Sequence, residues 1–154
     1  MKLISSPERT FLRELKRRRV RFMIVGLTAA TLQGVPVVTQ DIDLWFEDLA
    51  DPGIRAALKK VGGFYIPPTA LTPPRIGGDA VKMFDLVTHM HGLRSFAEEF
   101  PAALSITVRG LRLPVLPLER IIASKRATKR PKDRLTLPVL EDAVRAVRVS
   151  RQRR

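Results

Sequence analysis

The sequence predicts an α/β (α+β) fold, a mixed β-sheet flanked by helices with further helices at the C-terminal end. Three observations predict it. Apolar runs of strand length alternate with stretches whose apolar residues recur at helical spacing. Arg109-Gly110 between two alternating runs is a two-residue hairpin signal, so an antiparallel pair joins the strand–helix alternation. Asp41 and Asp43 stand in the second apolar run, where alternate residues of a strand share a face, roughly 7 Å apart at Cα.

In chain order, Ser5 or Ser6 caps a helix that begins at Pro7, with Glu8 and Glu14 in its early turns. Phe11, Leu12 and Leu15 form its apolar stripe, and Lys16 to Arg19 complement the dipole at its end. Arg21 to Val25 reads as a buried strand ended by Gly26, and Thr28 to Gln33 as a helix stopped by Gly34. Val37 to Phe46 is the second strand, and Ile54 to Val61 an amphipathic helix closed by Gly62 and Gly63. The prolines of Ile66 to Pro74 predict an irregular loop. Val81 to Met90 is the third strand, and Ser95 to Phe100 a short helix. Ser105 to Val108 and Leu111 to Val115 form the hairpin. Pro117 to Thr128 and Leu135 to Val149 are the closing helices.

The 154 residues fit one domain, 1–154, with a core over about 20–140 and a basic tail over 145–154; no repeat or linker divides it. The net charge of +13 favours contact with phosphate, as nucleotide or nucleic acid, or with an acidic partner; the plainer alternative is solubility. The absence of cysteine excludes a disulfide framework and a thiolate zinc site. No apolar run nears the roughly 20 residues that cross a bilayer, so no membrane partner is expected. Met1 to Lys16 lacks a signal-peptide pattern, and a cytoplasmic location is expected. There is no Walker-type loop, dinucleotide fingerprint or nucleophile motif.

Side-by-side carboxylates on a strand repel one another unless a cation lies between them, and a hard ion such as Mg²⁺ takes oxygen ligands of this kind. Around the pair stand Val25-Gly26-Leu27-Thr28-Ala29-Ala30 and Thr39-Gln40-Asp41-Ile42-Asp43-Leu44, with Asp85 in a third strand and Lys125-Arg126-Ala127-Thr128-Lys129-Arg130-Pro131-Lys132-Asp133 further on. This pattern resembles the polymerase-beta-like nucleotidyltransferase superfamily. It is most similar to small bacterial forms, including those of toxin–antitoxin and abortive-infection systems. The resemblance covers about Val20 to Leu140. It implies a nucleotidyltransferase fold and transfer of NMP from an NTP to a hydroxyl of RNA, for example a tRNA end, or of a protein, with release of pyrophosphate. A cognate toxin or antitoxin partner is permitted. It further implies that Asp41, Asp43 and Asp85 hold Mg²⁺ (or Mn²⁺) ions and carry catalysis, with Asp85 accepting the proton. Gly26, Leu27, Thr28, Lys125, Arg126 and Arg130 would contact the nucleotide.

One departure stands out. The family has glycine or serine where this chain has Leu27, which adds bulk and removes a hydroxyl. The alternative is therefore a catalytically degenerate module of the same fold that binds RNA or a partner protein. Plainer alternatives exist residue by residue. Asp41 and Asp43 could be solvated turn formers, Gly26 a strand-ending turn, and Lys125 and Arg126 a solvated helix face. Asp133 is expected to cap the last helix or pair with Arg130 rather than act in the site. His89 and His91 resemble a ligand pair but lack the third and fourth ligands that zinc requires.

Overall fold

In the computed structural model, residues 4–152 are described. The chain runs α1 (Ser6–Arg17), β1 (Phe22–Val25), α2 (Gly26–Leu32), β2 (Ile42–Phe46), α3 (Pro52–Lys60), β3 (Phe64–Ile66), β4 (Arg75–Gly77), β5 (Phe84–Val87), α4 (Phe96–Glu99), β6 (Leu104–Val108), β7 (Leu111–Val115), α5 (Leu118–Thr128) and α6 (Pro131–Gln152). Five strands form a mixed sheet in the order β5-β2-β1-β7-β6, and β3 and β4 form a separate antiparallel pair. β1 is antiparallel to β2, and β7 to β6. β1 is parallel to β7, and β2 to β5.

Local chemistry accounts for the elements. Ser5 and Glu8 form a reciprocal capping box at α1, whose Phe11, Leu12 and Leu15 are fully buried. All four residues of β1 are buried, as befits the central strand. At the hairpin tip Arg109 (φ 50°) and Gly110 (φ 77°) both have positive φ, the requirement of a type I′ turn. The core clusters Phe11, Phe22, Met23, Leu44, Ile54, Leu58, Leu113 and Leu116 around the sheet. Among the described residues, no helix is long and apolar enough to cross a membrane.

Four elements differ from the sequence expectation. The second strand starts at Ile42 rather than Val37, because the β1 ladder ends at the pair Val25–Asp43 and no strand remains to pair with residues 37–41. The carbonyls there are taken by Thr31, which reaches Val37 O, and by Thr28 and Thr39, which both reach Asp41 O. Asp41 thus precedes the strand that carries Asp43. The third strand is confined to Phe84–Val87, where it pairs with β2. The loop expected over Ile66 to Pro74 is flanked by the short strands β3 and β4. The last helix begins earlier than Leu135, at Pro131, and continues through Pro138. Of the basic tail, residues 153 and 154 lie outside the described residues, while Arg145 pairs with Asp142 and Arg148 with Glu119.

Candidate functional site

β1 ends where Gly26 turns the chain into α2 at φ +69°, a backbone conformation that side chains disfavour. Asp43, on the neighbouring strand, lies directly against it. A Cβ at position 26 would overlap Asp43 Oδ2 and come within 3.2 Å of its Cγ. Gly26 therefore provides both the turn and the space for the carboxylate. On the other side of β2, Asp43 is in register with Asp85 of β5. Parallel neighbours in register project to the same face from strands about 4.8 Å apart, so the two carboxylates stand side by side. Thr28, buried at 2% exposure, donates its hydroxyl to the Asp41 carbonyl at 2.6 Å and anchors the third carboxylate's backbone.

The opposite wall comes from α5 and α6. Gln33, at the end of α2, fixes the start of α5: its amide donates to Leu116 O at 2.9 Å and its Oε1 accepts from Leu118 N at 2.9 Å. At the other end of α5, Lys129 takes a left-handed cap (φ 53°) and α6 turns back. Asp133, 1% exposed, closes this corner. It accepts from Lys125 Nζ (3.1 Å), Thr128 Oγ1 (2.6 Å) and Arg130 Nε (3.1 Å). Burial pushes its carboxyl up, but the bonds from Thr128 and Lys125, the Lys125 charge and the Arg130 bond outweigh burial and hold it down to about 2.

Between these walls lies a cleft of about 870 Å³. Gly26, Leu27, Asp41, Asp43, Asp85, Lys125 and Arg130 all line it. Two of the expected nucleotide contacts do not. Thr28 is buried with its hydroxyl engaged on Asp41 O. Arg126, the residue next to Lys125, is rotated about 100° around the helix axis from it. It pairs instead with Glu141 at 3.1 Å in a separate groove between α5 and α6. Lys132, His89 and His91 line the cleft without having been among the expected site residues. Lys132 belongs to the basic segment before Asp133, and its position at the start of α6 was hidden by the late helix start read from sequence.

The electrostatics mark the carboxylate wall as under-neutralised. Burial first, then the charges of Asp85 and Asp41, push the Asp43 carboxyl up to about 6 against the opposing pull of Lys125 and Lys132. Burial and the Asp41 charge also raise Asp85. Among the described residues, no three His, Asp or Glu side chains converge into a ready-made metal cage. Clustered carboxylate oxygens carrying excess charge nevertheless suit a hard divalent ion. Mg²⁺ is ordinarily bound by one or two carboxylates with substrate phosphates completing its shell.

No protein-family model and no curated protein sequence matches the chain. Solved structures do. The chain is similar to ANT(2'')-Ia in complex with adenylyl-2''-tobramycin, with a TM-score of 0.62 and 19% identity over 92% of this chain and 90% of that one. It is also similar to the solution structure of the antibiotic-resistance factor ANT(2'')-Ia (TM-score 0.60, 17% identity, 96% and 90% covered). A third likeness is to a candidate nucleotidyltransferase from Thermotoga maritima (TM-score 0.54, 19% identity, 95% and 91% covered). The chain has the nucleotidyltransferase fold.

Proposed function

We propose that this protein transfers a nucleoside monophosphate from an NTP to an acceptor hydroxyl. The observation that carries the reading is the juxtaposition of Asp41, Asp43 and Asp85 beside Gly26, across one cleft from Lys125, Arg130 and Lys132. The cationic corner binds the triphosphate. Asp133 holds Lys125 there, so the amine meets the phosphates without rotamer search. The acceptor oxygen attacks the α-phosphorus, the bond from that phosphorus to the α–β bridging oxygen breaks, and pyrophosphate leaves with the electron pair. The acceptor proton passes to a carboxylate oxygen of Asp85, which stands in register beside Asp43 at the open side of the cleft. Asp41, Asp43 and Asp85 would hold Mg²⁺ or Mn²⁺. Such an ion supplies charge neutralisation for the triphosphate and acidifies the acceptor hydroxyl.

The acceptor in this reading is RNA, for example a tRNA end, or a protein side chain. The similar structure of ANT(2'')-Ia holds adenylyl-2''-tobramycin, which adds an aminoglycoside as a further acceptor class. The resemblance to toxin–antitoxin relatives adds a cognate partner protein, and an NTP donor puts the reaction in the cytoplasm. The test is incorporation of label from α-labelled NTP into cellular RNA and protein fractions. We expect metal-dependent labelling that disappears in Asp41→Ala and in Asp43→Asn. Full activity in both variants would refute the site.

Leu27 supports a second reading, a non-catalytic module. It lines the cleft beside Gly26, where the resembled family has a small residue. That reading expects salt-sensitive RNA binding that is indifferent to Asp41 and Asp43.

A further inference from the structure

The strand that carries Asp85 does not end at the site. Leu86, Val87, Thr88, His89, Met90 and His91 continue along the same cleft. Residues 88–92 leave the sheet as a strap that runs on from β5 and is tied down over its second half. Met90 and Leu93 pack against the core, and Leu93 N donates to Met90 O at 3.2 Å. Gly92, at φ +74°, lets the backbone lie directly on α5: a Cβ there would come within 2.6 Å of Ala127 Cβ and 3.2 Å of Ala123 O. His89 and His91 are thereby held exposed in the cleft, their rings perpendicular with centroids 4.9 Å apart. Among the described residues neither ring has a hydrogen-bond partner, and no third ligand makes them a metal site.

Charge decides what this wall could receive. Apart from the three carboxylates and the fully engaged Asp133, every titratable side chain lining the cleft is basic: Lys125, Arg130, Lys132, His89 and His91. A polycationic acceptor such as an aminoglycoside would find no acidic partner on the strap. An acceptor with phosphate next to its reactive hydroxyl would find ring N–H donors at two neighbouring points. This deepens the transfer reaction and rests on it, because the strap continues the strand that carries Asp85 and so borders the carboxylates where the acceptor hydroxyl reacts. We propose that the strap is the acceptor wall, on which His89 and His91 receive the phosphodiester next to the terminal hydroxyl of an RNA.

The test uses the full-length protein with a 5′-fluorescein-labelled single-stranded RNA bearing a free 3′ hydroxyl, read by anisotropy. Nucleotide binding with Mg²⁺ is measured separately by calorimetry. In His89→Ala/His91→Ala we expect RNA affinity to fall about tenfold, the value of one to two phosphate hydrogen bonds, with nucleotide affinity unchanged. His89→Asn/His91→Gln, which keeps a donor at each position, should recover part of the loss. RNA affinity unchanged in the alanine variant, or wild type that binds no RNA, overturns the strap assignment even where nucleotide binding is intact. Labelled peptide or tobramycin bound in place of RNA overturns it as well. Wild type that binds no nucleotide overturns the transfer reaction, and this assignment with it.

Discussion

Replacing Asp43 with asparagine should make the metal-free protein more stable, although it removes a residue on which the proposed reaction depends. The folded state holds the Asp43 carboxyl at about 6, against 3.8 for an unperturbed group. The native state thus binds more protons than the unfolded chain between those values, and stability falls as pH rises through that window. Above pH 6 the ionised carboxylate carries the full cost. Two pH units correspond to about 3 kcal/mol at most. Partial solvent screening of a half-buried group lowers the expectation to about 1–2 kcal/mol. For a chain of this size that raises Tm by about 2–8 °C. The assay is guanidinium denaturation in chelator at pH 4, 6 and 7.5. Asp43→Asn should exceed wild type at pH 7.5, by less at pH 6, and come close to it at pH 4, where the native carboxyl is protonated and the unfolded one about half so. A variant less stable than wild type at pH 7.5, or a difference independent of pH, would refute the reasoning.

Other outcomes follow from the same geometry. Gly26→Ala forces a Cβ against Asp43 at a positive φ; we expect a loss of about 1–3 kcal/mol in denaturant together with loss of nucleotide binding by calorimetry. Asp133→Asn leaves the Lys125 ammonium without its buried partner and should cost about 3 kcal/mol at pH 7. Because the Asp133 carboxyl is held at about 2, its stabilising contribution is present above about pH 4 and lost as pH falls towards 2, so wild type and variant should converge there in an acid titration. Leu27→Gly opens the cleft beside Gly26, and tighter nucleotide binding than wild type in the same calorimetric titration is the expected result.

Legibility in the sequence followed the range of the interaction. The Arg109-Gly110 hairpin and the Ser5 cap of α1 were readable because positive φ and the capping box are local chemistry. The alignment of Asp43 and Asp85 was half readable. Each sits in an apolar run, but that β2 and β5 are parallel neighbours in register is a long-range fact. Residues 37–41 misled because Val37 and Val38 extend the apolar run towards Ile42, whereas pairing stops where Gly26 turns β1 away. β3 and β4 are three residues each, too short to show a period, and are separated by a proline-rich loop. Lys125 and Arg126 are adjacent in sequence and diverge in space, since neighbours on a helix do not share a face. The structural role expected for Asp133, pairing with Arg130, is the one observed, and Lys125 and Thr128 join it there.

The central claim is that the carboxylate wall and the cationic corner form one nucleotide site. The most direct test is a calorimetric titration of ATP, GTP, CTP and UTP, each with Mg²⁺, into wild type and the Asp41→Asn/Asp43→Asn double variant. The account predicts metal-dependent binding of at least one nucleotide by wild type and none by the variant. Absence of binding by wild type, or equal binding by both proteins, would contradict it.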